Sequence, residues 1–343
     1  MPLWQCLIQR SKWVIAVVLQ ACGFLAWLRR WRARRGEIPV LALHRVGGSP
    51  ESRQPQAIPP QVLRQMIQAL SQRYTICSWE TCVRVARSRD PHPHIAITFD
   101  DGYLDNAEWA WPILREAGAT GIFCVTTRFV DGVEPHWWDV IAAAYRPTQG
   151  PRFRLNRFGQ ATYGAIAEGK IHRLKTLPSE QLRQNVASLQ VAAARDLTIE
   201  RLPVAMSWAE ARRMVEEGAD FGGHGLTHAI LTNCNDDELA SELKDCRETL
   251  CRELGREITI FAYPNGDYDD RVVARTRHAG FRYAFSIERG YYTAAGDPLK
   301  IPRIMVSEPL YSLNGCNFSW PLFEAEVLGV FEVLLWRRLR RRA

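Results

Sequence analysis

Short apolar runs that alternate with helix-like stretches are the feature that most constrains the fold of this 343-residue chain. Stretches with helical spacing follow several runs, and Ser207 begins one of them with Glu210 in a capping box. Alternating buried strands and helices are typical of a parallel sheet wrapped by helices. We therefore predict an α/β fold, in the form of a barrel. The apolar runs lie at 38–43, 94–99, 121–126, 219–222, 258–263 and 283–286.

Polar residues follow three of these predicted strands directly. Asp100 and Asp101 follow the second run, His224 and His228 the fourth, and Asn265 the fifth. Because the carboxyl ends of parallel strands converge on one face of a barrel, we expect these three clusters to meet there. This convergence is the inference on which the functional interpretation depends.

The residue types in these clusters are those of a metal site. Two histidines four residues apart and one carboxylate suit Zn, Co, Ni, Mn or Fe(II), and they leave coordination positions open for water and substrate. Neighbouring side chains on an extended segment point apart, so we expect one of Asp100 and Asp101 to bind the ion. The other would then take a proton from the attacking water. Each motif alone is weak, since many such sequences are plain turns or core histidines, but their co-occurrence favours a hydrolase.

The arrangement resembles the polysaccharide deacetylase family, carbohydrate esterase family four. The family's Thr-Phe-Asp-Asp-Gly motif matches residues 98–102, its His-Ser/Thr-x-x-His motif matches 224–228, and the likeness covers roughly 38–306. The resemblance implies a distorted (β/α)7 barrel. It implies Asp100 as the general base and a divalent metal, zinc first, held by Asp101, His224 and His228. The implied reaction removes N-acetyl groups from amino sugars of a polysaccharide or surface glycan.

Three departures from the family pattern bear on the mechanism. Ala262 stands where the third motif has an arginine, and Gly225 stands between the histidines in place of Ser or Thr. The late Leu-x-x-His motif has no match, since no histidine follows His278. Asn265 keeps the backbone N–H that would face the developing oxyanion. His44 ends a Leu-x-x-His-like strand, as in the exopolysaccharide-type branch, and is the candidate general acid; the alternative is a capping histidine.

Four further residues are candidates for binding substrate. Trp138 and Asp139 follow the third strand, where a tryptophan could stack on a sugar; packing of the insertion against the barrel is an equal alternative. Tyr263 is a candidate that also fits the core. Arg303 follows the last strand-like segment and is also a candidate partner for an active-site carboxylate.

The ends of the chain carry its positive charge. Five arginines lie in 29–35 and five in 337–342, and removing these ten from the net charge of +7 leaves −3. This distribution argues against nucleic-acid binding and favours contact with an anionic membrane surface. The basic residues that follow the first apolar stretch favour the cytoplasmic face, because cytoplasmic segments beside a membrane are enriched in lysine and arginine. The uncharged stretch 13–28 is short for a span, so lying in the interface is an alternative, as is a buried helix. The stretch 323–336 fits either the same membrane surface or packing on the domain.

These observations predict a membrane-associated segment at 1–36, a deacetylase barrel at 37–310 with a helical insertion at about 140–205, and a C-terminal apolar and basic helix at 311–343. The nine cysteines are odd in number and without Cys-x-x-Cys spacing, which indicates reduced thiols. Two alternative functions remain open: a deacylase or deformylase of a lipid-linked amino sugar, and a catalytically impaired sugar-binding barrel. The oligomeric state is not indicated.

Overall fold

The structure is a computed structural model that describes residues 3–47, 57–144, 169–194, 202–312 and 317–332. Its strands are β1 (Ile38–Leu43), β2 (Arg45–Val46), β3 (Ala57–Ile58), β4 (Thr75–Ile76), β5 (His94–Phe99), β6 (Ile122–Val125), β7 (Asp220–Gly223), β8 (Ile260–Ala262), β9 (Tyr283–Phe285), β10 (Tyr291–Tyr292) and β11 (Ile304–Met305). Its helices are α1 (Leu3–Ala21), α2 (Phe24–Arg34), α3 (Pro60–Ser71), α4 (Trp79–Ser88), α5 (Trp111–Glu116), α6 (Thr127–Val130), α7 (Trp137–Ala144), α8 (Ser179–Ala194), α9 (Trp208–Glu216), α10 (Asp236–Leu254), α11 (Asp270–His278), α12 (Glu308–Tyr311) and α13 (Trp320–Val327).

The central sheet is parallel and curled. Strands β1, β5, β6, β7, β8 and β9 are neighbours in this order, and each adjacent pair is parallel. The segment 301–305 contacts both ends of this row: Ile301 bridges Phe285 of β9, and Ile304 of β11 pairs with Leu41 of β1. The predicted α/β fold is confirmed, and the curled sheet is consistent with a barrel of the deacetylase type.

Both faces of the sheet are buried, which explains why its strands are continuous apolar runs. Ala96, Ile122 and Ala262, from three strands, share one core cluster with Trp79 of α4. Ile97 belongs to the larger core cluster on the other side, formed with the surrounding helices. Because strand side chains alternate between faces, counting by two from Ala96 through Thr98 reaches Asp100. The sheet therefore places this carboxylate on its concave side, at the carboxyl end of β5.

The N-terminal apolar stretch forms two helices rather than one. Helix α1 ends at Ala21 and α2 begins at Phe24, and Gly23 adopts φ 78° at the break. Within the described part of the chain, no single helix has both the length and the apolar character to cross a membrane. Taken together, 7–21 and 24–34 meet those criteria of length and composition, but the two helices are bent by 78° at the break.

The C-terminal stretch that we predicted at 323–336 packs on the domain as far as the structure describes it. Phe323 and Val327 of α13 are buried in the main core, whereas Leu322 and Leu328 contact α1 and α2. This favours the packing alternative for the first turns of the stretch. The five arginines of 337–342 lie outside the described residues.

The predicted insertion at 140–205 is partly described. Helices α7 and α8, with the segment 169–174, form a small core cluster of their own, which includes Ile141, Leu174 and Leu182. Residues 145–168 and 195–201 lie outside the described residues. A separate cluster fits an insertion packed beside the barrel, and the domain boundaries stay a prediction.

Candidate metal centre

Three side chains from two strand ends converge on one buried point. Asp101 follows β5, and His224 and His228 follow β7; all three are buried. The Oδ1 atom of Asp101 lies 3.4 Å from Nε2 of His224 and 3.6 Å from Nε2 of His228. One ligand atom from each residue lies within 4.8 Å of the others. The convergence that we expected from the sequence is therefore present in the structure.

The cluster has the chemistry of a cation site. Among the described residues, Oδ1 of Asp101 is buried without a hydrogen-bond partner, which is costly unless a cation or donor satisfies it. Nδ1 of His224 lies 2.8 Å from the carbonyl oxygen of Ala262, which as a donor contact would leave Nε2 free to bind an ion. Burial and the neighbouring His224 lower the pKa of His228 well below its ordinary value, and the neutral imidazole is the ligand form. The residues fit a divalent metal.

Backbone strain is concentrated around this cluster. Only four non-glycine residues in the described chain have positive φ, and Asp101 (79°), His228 (62°) and Asn265 (59°) are three of them. Such left-handed conformations cost free energy for residues with a Cβ and persist where the surrounding structure enforces them. The surrounding structure therefore offsets the conformational cost at these three residues and fixes the directions of their side chains.

Asp100, the chain neighbour of Asp101, pairs with a buried arginine. Arg303 places Nη1 2.9 Å from Oδ1 and Nη2 2.8 Å from Oδ2 of Asp100, a bidentate contact. Nη1 also donates to Thr98 Oγ1 at 3.0 Å, and Nε donates to the Ser286 carbonyl at 2.9 Å. Burial alone would raise the pKa of Asp100, but Arg303 and His224 lower it overall. Asp100 is thus held as an oriented carboxylate.

The resemblance implies a third-motif arginine that tunes the base; here Ala262 stands at that position, and Arg303 is the arginine that contacts Asp100. It comes from the segment before β11, so its guanidinium reaches Asp100 from a different strand from the one that carries Ala262. Its side chain is only 1% exposed. The contact with Asp100 favours the interpretation of Arg303 as partner of a carboxylate, since a side chain this buried offers little surface to a substrate.

A buried glutamate supports the loop that carries the histidines. Glu242 of α10 accepts hydrogen bonds from the backbone N–H of Leu226 at 2.8 Å and from the Thr227 hydroxyl at 2.5 Å. A Cβ at Gly225 would stand 2.9 Å from Oε2 of Glu242, and Gly225 has φ 82°. The glycine therefore leaves room for the carboxylate that holds this loop. Sequence reasoning missed Glu242, because a lone glutamate within a polar helix carries no signal.

His44 and Asn265 lie at the same end of the sheet. The half-buried His44 is near enough to Asp100 and Asp101 to lower the pKa of each, although burial is the larger influence on both carboxyls. Its carbonyl accepts a hydrogen bond from the Asn106 side-chain amide at 2.8 Å. The side chain of Asn265 accepts a hydrogen bond from Lys175, a contact that sequence reasoning also missed because Lys175 lies in the insertion.

Trp138 and Asp139 pack the start of the insertion against the cluster. The Trp138 ring lies 4.3 Å from that of His228, and its Nε1 donates to the Tyr103 hydroxyl at 3.0 Å. That hydroxyl in turn donates to Asp139 at 2.7 Å. His136 is buried and stacks on Trp138 at a ring distance of 4.3 Å, and burial lowers its pKa to about 4. These contacts favour packing, the second of our two interpretations, for both residues.

Tyr263 lies in the core. Its side chain is fully buried in the main core, and its hydroxyl donates to the Leu299 carbonyl at 2.9 Å. The apolar strand β8 continues directly into Tyr263, which places the ring in the core rather than at the mouth of the site. This burial favours the core interpretation of Tyr263 over a contact with substrate.

The protein belongs to the class of α/β proteins that have a curled parallel sheet and a polar site at the carboxyl ends of its strands. In this chain the site holds a candidate metal centre and, beside it, a carboxylate paired with an arginine. A family model described as polysaccharide deacetylase matches residues 171–284, which include both histidines but not the aspartate pair. The comparison with curated proteins found no match. The resemblance to polysaccharide deacetylases that the motifs indicated is confirmed.

Solved structures share this fold. The deacetylase PplD of Streptococcus pyogenes in complex with acetate is 19% identical, with a TM-score of 0.56, and the match covers 81% of this chain and 96% of that one. IcaB from Ammonifex degensii is 18% identical, with a TM-score of 0.53 and coverage of 85% and 97%. A de-N-acetylase from Aggregatibacter actinomycetemcomitans is 16% identical, with a TM-score of 0.51 and coverage of 79% and 95%. At these identities the likeness is one of fold.

Proposed function

We propose that this protein is a metal-dependent hydrolase that removes N-acetyl groups from the amino sugars of a polysaccharide or surface glycan. The family match supports carbohydrate deacetylation. The observation that carries the proposal is the pairing of two differently tuned carboxylates: Asp101 clusters with the two histidines, while its neighbour Asp100 is held by Arg303. One carboxylate is free to bind a cation and the other is free to handle a proton.

Asp101, His224 and His228 would hold the ion, and zinc suits two imidazoles and one carboxylate, although Co, Ni, Mn and Fe(II) accept the same set. A bound divalent ion would polarise the amide carbonyl and lower the pKa of water. The protein's part is to fix the ligands, through the contact of His224 with the Ala262 carbonyl and the support of the loop by Glu242.

Asp100 would take the proton of the attacking water. Its two oxygens each accept one hydrogen bond from Arg303, and each carboxylate oxygen has a further lone pair with which to receive a proton. The backbone N–H of Asn265 would stabilise the negative charge that develops on the carbonyl oxygen. His44, beside both carboxylates and partly exposed, would protonate the departing amine.

Two variants and one panel of substrates test the proposal. Asp100→Asn should keep bound metal and lose amine release, and Asp101→Asn should lose the metal itself. The measurements are metal content of the purified protein and release of free amine from N-acetylated oligosaccharides. If the wild-type protein carries metal and turns over no N-acyl glycan, the sugar-binding barrel replaces the enzyme. If Asp100→Asn retains turnover, Asp100 is not the base.

A lipid-linked amino sugar carrying acetyl or formyl is the second candidate substrate. The observation that favours it is the exposed apolar surface of α1 and α2, where Trp27 is 55% and Val18 is 59% exposed. A substrate with a lipid tail would be presented at such a surface. Including lipid-linked N-acyl sugars in the substrate panel separates the two candidates.

A further inference from the structure

The outward faces of α1 and α2 carry most of the large apolar side chains that the described chain exposes. Nine of the thirteen lie within residues 7–31, and several are more than half exposed. Single exposed apolar residues are ordinary on soluble proteins, but a cluster of this size on two adjacent helices marks an interaction surface. These nine are Leu7, Ile8, Trp13, Val14, Ile15, Val18, Phe24, Trp27 and Trp31.

The inward faces of the same helices are tied to the barrel. Lys12 of α1 pairs with the buried Glu326 at 2.8 Å, and Arg29 of α2 pairs with the buried Glu324. Arg32 donates to the carbonyl of Leu328 at 2.9 Å. Breaking a buried ion pair leaves an uncompensated charge, which is strongly destabilising. The two helices are therefore held along the domain, with only their outer faces free to bind a partner.

The free faces are cationic as well as apolar. Arg10, Arg30 and Arg34 are exposed, and none of them forms an ion pair within the described ranges. No aspartate or glutamate occurs in residues 1–36. On α2 the rings of Phe24, Trp27 and Trp31 form an exposed row with centroids 5.4 and 6.3 Å apart. Tryptophan beside arginine on an apolar face is the composition of helices that lie in the boundary between lipid headgroups and acyl chains.

We propose that α1 and α2 dock the protein on an anionic membrane, with both helices lying along the surface and their inner faces still bound to the barrel. Charge complementarity selects this partner, because acidic headgroups attract the unpaired arginines. A second copy of the same face would instead bring identical arginine clusters together. The bend at Gly23 and the ion pairs to α13 hold the helices against the domain, an arrangement suited to lying on a bilayer.

Vesicle co-sedimentation of the full chain tests this docking. Wild-type protein should bind vesicles of phosphatidylcholine with phosphatidylglycerol, and binding should weaken as salt rises or as the anionic lipid is removed. The variant Arg30→Gln/Arg34→Gln should bind roughly 30-fold more weakly, since each arginine near an anionic surface contributes about fivefold. Trp27→Ser/Trp31→Ser should also bind at least about tenfold more weakly, through lost apolar contact.

Trp109→Ser is the matched control, because Trp109 is 47% exposed on the barrel rather than on α1 or α2. It should bind vesicles like the wild type, and circular dichroism should show that all variants are folded. Equal vesicle binding by the wild type and both helix variants would overturn the proposal. Light scattering provides a second test. If the wild type forms a dimer in the absence of lipid and Trp27→Ser/Trp31→Ser dissociates that dimer, the outer face of α1 and α2 binds a second copy and the proposal is overturned.

Discussion

Replacing Arg303 with methionine should destabilise the protein and disable its proposed base at the same time. The change removes two hydrogen bonds to Asp100, one to Thr98 and one to the Ser286 carbonyl, all buried. Removing one partner of a buried ion pair costs about 3–5 kcal/mol. At about 2–4 °C per kcal/mol for a domain of this size, Tm should fall by roughly 6–20 °C. Turnover should fall about 100-fold, because the carboxylate loses its orientation.

A double-mutant cycle separates the charge effect from simple loss of packing. Arg303→Met leaves Asp100 charged and buried, whereas Asp100→Asn/Arg303→Met removes the stranded charge as well. The double variant should therefore be more stable than the sum of the single changes predicts, by at least about 1 kcal/mol. Stability would be measured by thermal and urea unfolding, and turnover by amine release.

Arg282→Met provides the control for loss of an arginine. Arg282 is 63% exposed and pairs with the exposed Glu257 at 2.9 Å, so its loss should change stability by less than about 1 kcal/mol. Our reasoning about the Asp100–Arg303 pair would be refuted if Arg303→Met unfolds and turns over like the wild type. Strict additivity in the cycle would refute it equally.

Three further predictions follow from the site and its surroundings. Glu242→Ala should weaken metal affinity by roughly 10–100-fold in a chelator competition assay, whereas Glu248→Ala on the exposed side of the same helix should not. Zinc should raise the Tm of the wild type and leave the Tm of Asp101→Asn unchanged, since a ligand stabilises only the state that binds it. Burial raises the pKa of Asp105 despite its contact with Arg45, so its contribution to stability is present below its unfolded pKa and lost as the pH rises through the folded value. In urea unfolding the stability of the wild type relative to Asp105→Asn should therefore decline between pH 4 and pH 7; an advantage that grows with pH would contradict this.

The parts of the fold that repeat along the sequence could be predicted from it. The predicted strands at 38–43 and 94–99 agree with β1 and β5, and the capping box at Ser207 and Glu210 begins α9. Strong apolar runs leave few alternatives for a buried strand, and a capping box fixes a helix start locally. The same periodicity brought the aspartates and histidines to one end of the sheet.

What the sequence could not supply depends on contacts between distant residues. Glu242 reaches the histidine loop from α10, and Lys175 reaches Asn265 across 90 residues of chain. The sequence did not predict the break at Gly23, because the apolar run continues on both sides of this glycine and gives no indication of its left-handed conformation. Core and substrate contact both stayed open for Tyr263, because its proximity in sequence to Asn265 does not determine which face of the strand end the ring occupies.

The arginine that orients the proposed base arrives late in the chain. Residues 301–305 join the last strand of the row to the first, and Arg303 lies within that seam. A chain that ends before residue 301 would therefore contain both aspartates, both histidines and Asn265, but not the partner of Asp100. If the proposed function holds, a product that lacks this segment would keep the candidate metal ligands and the proposed base but lose the group that orients that base.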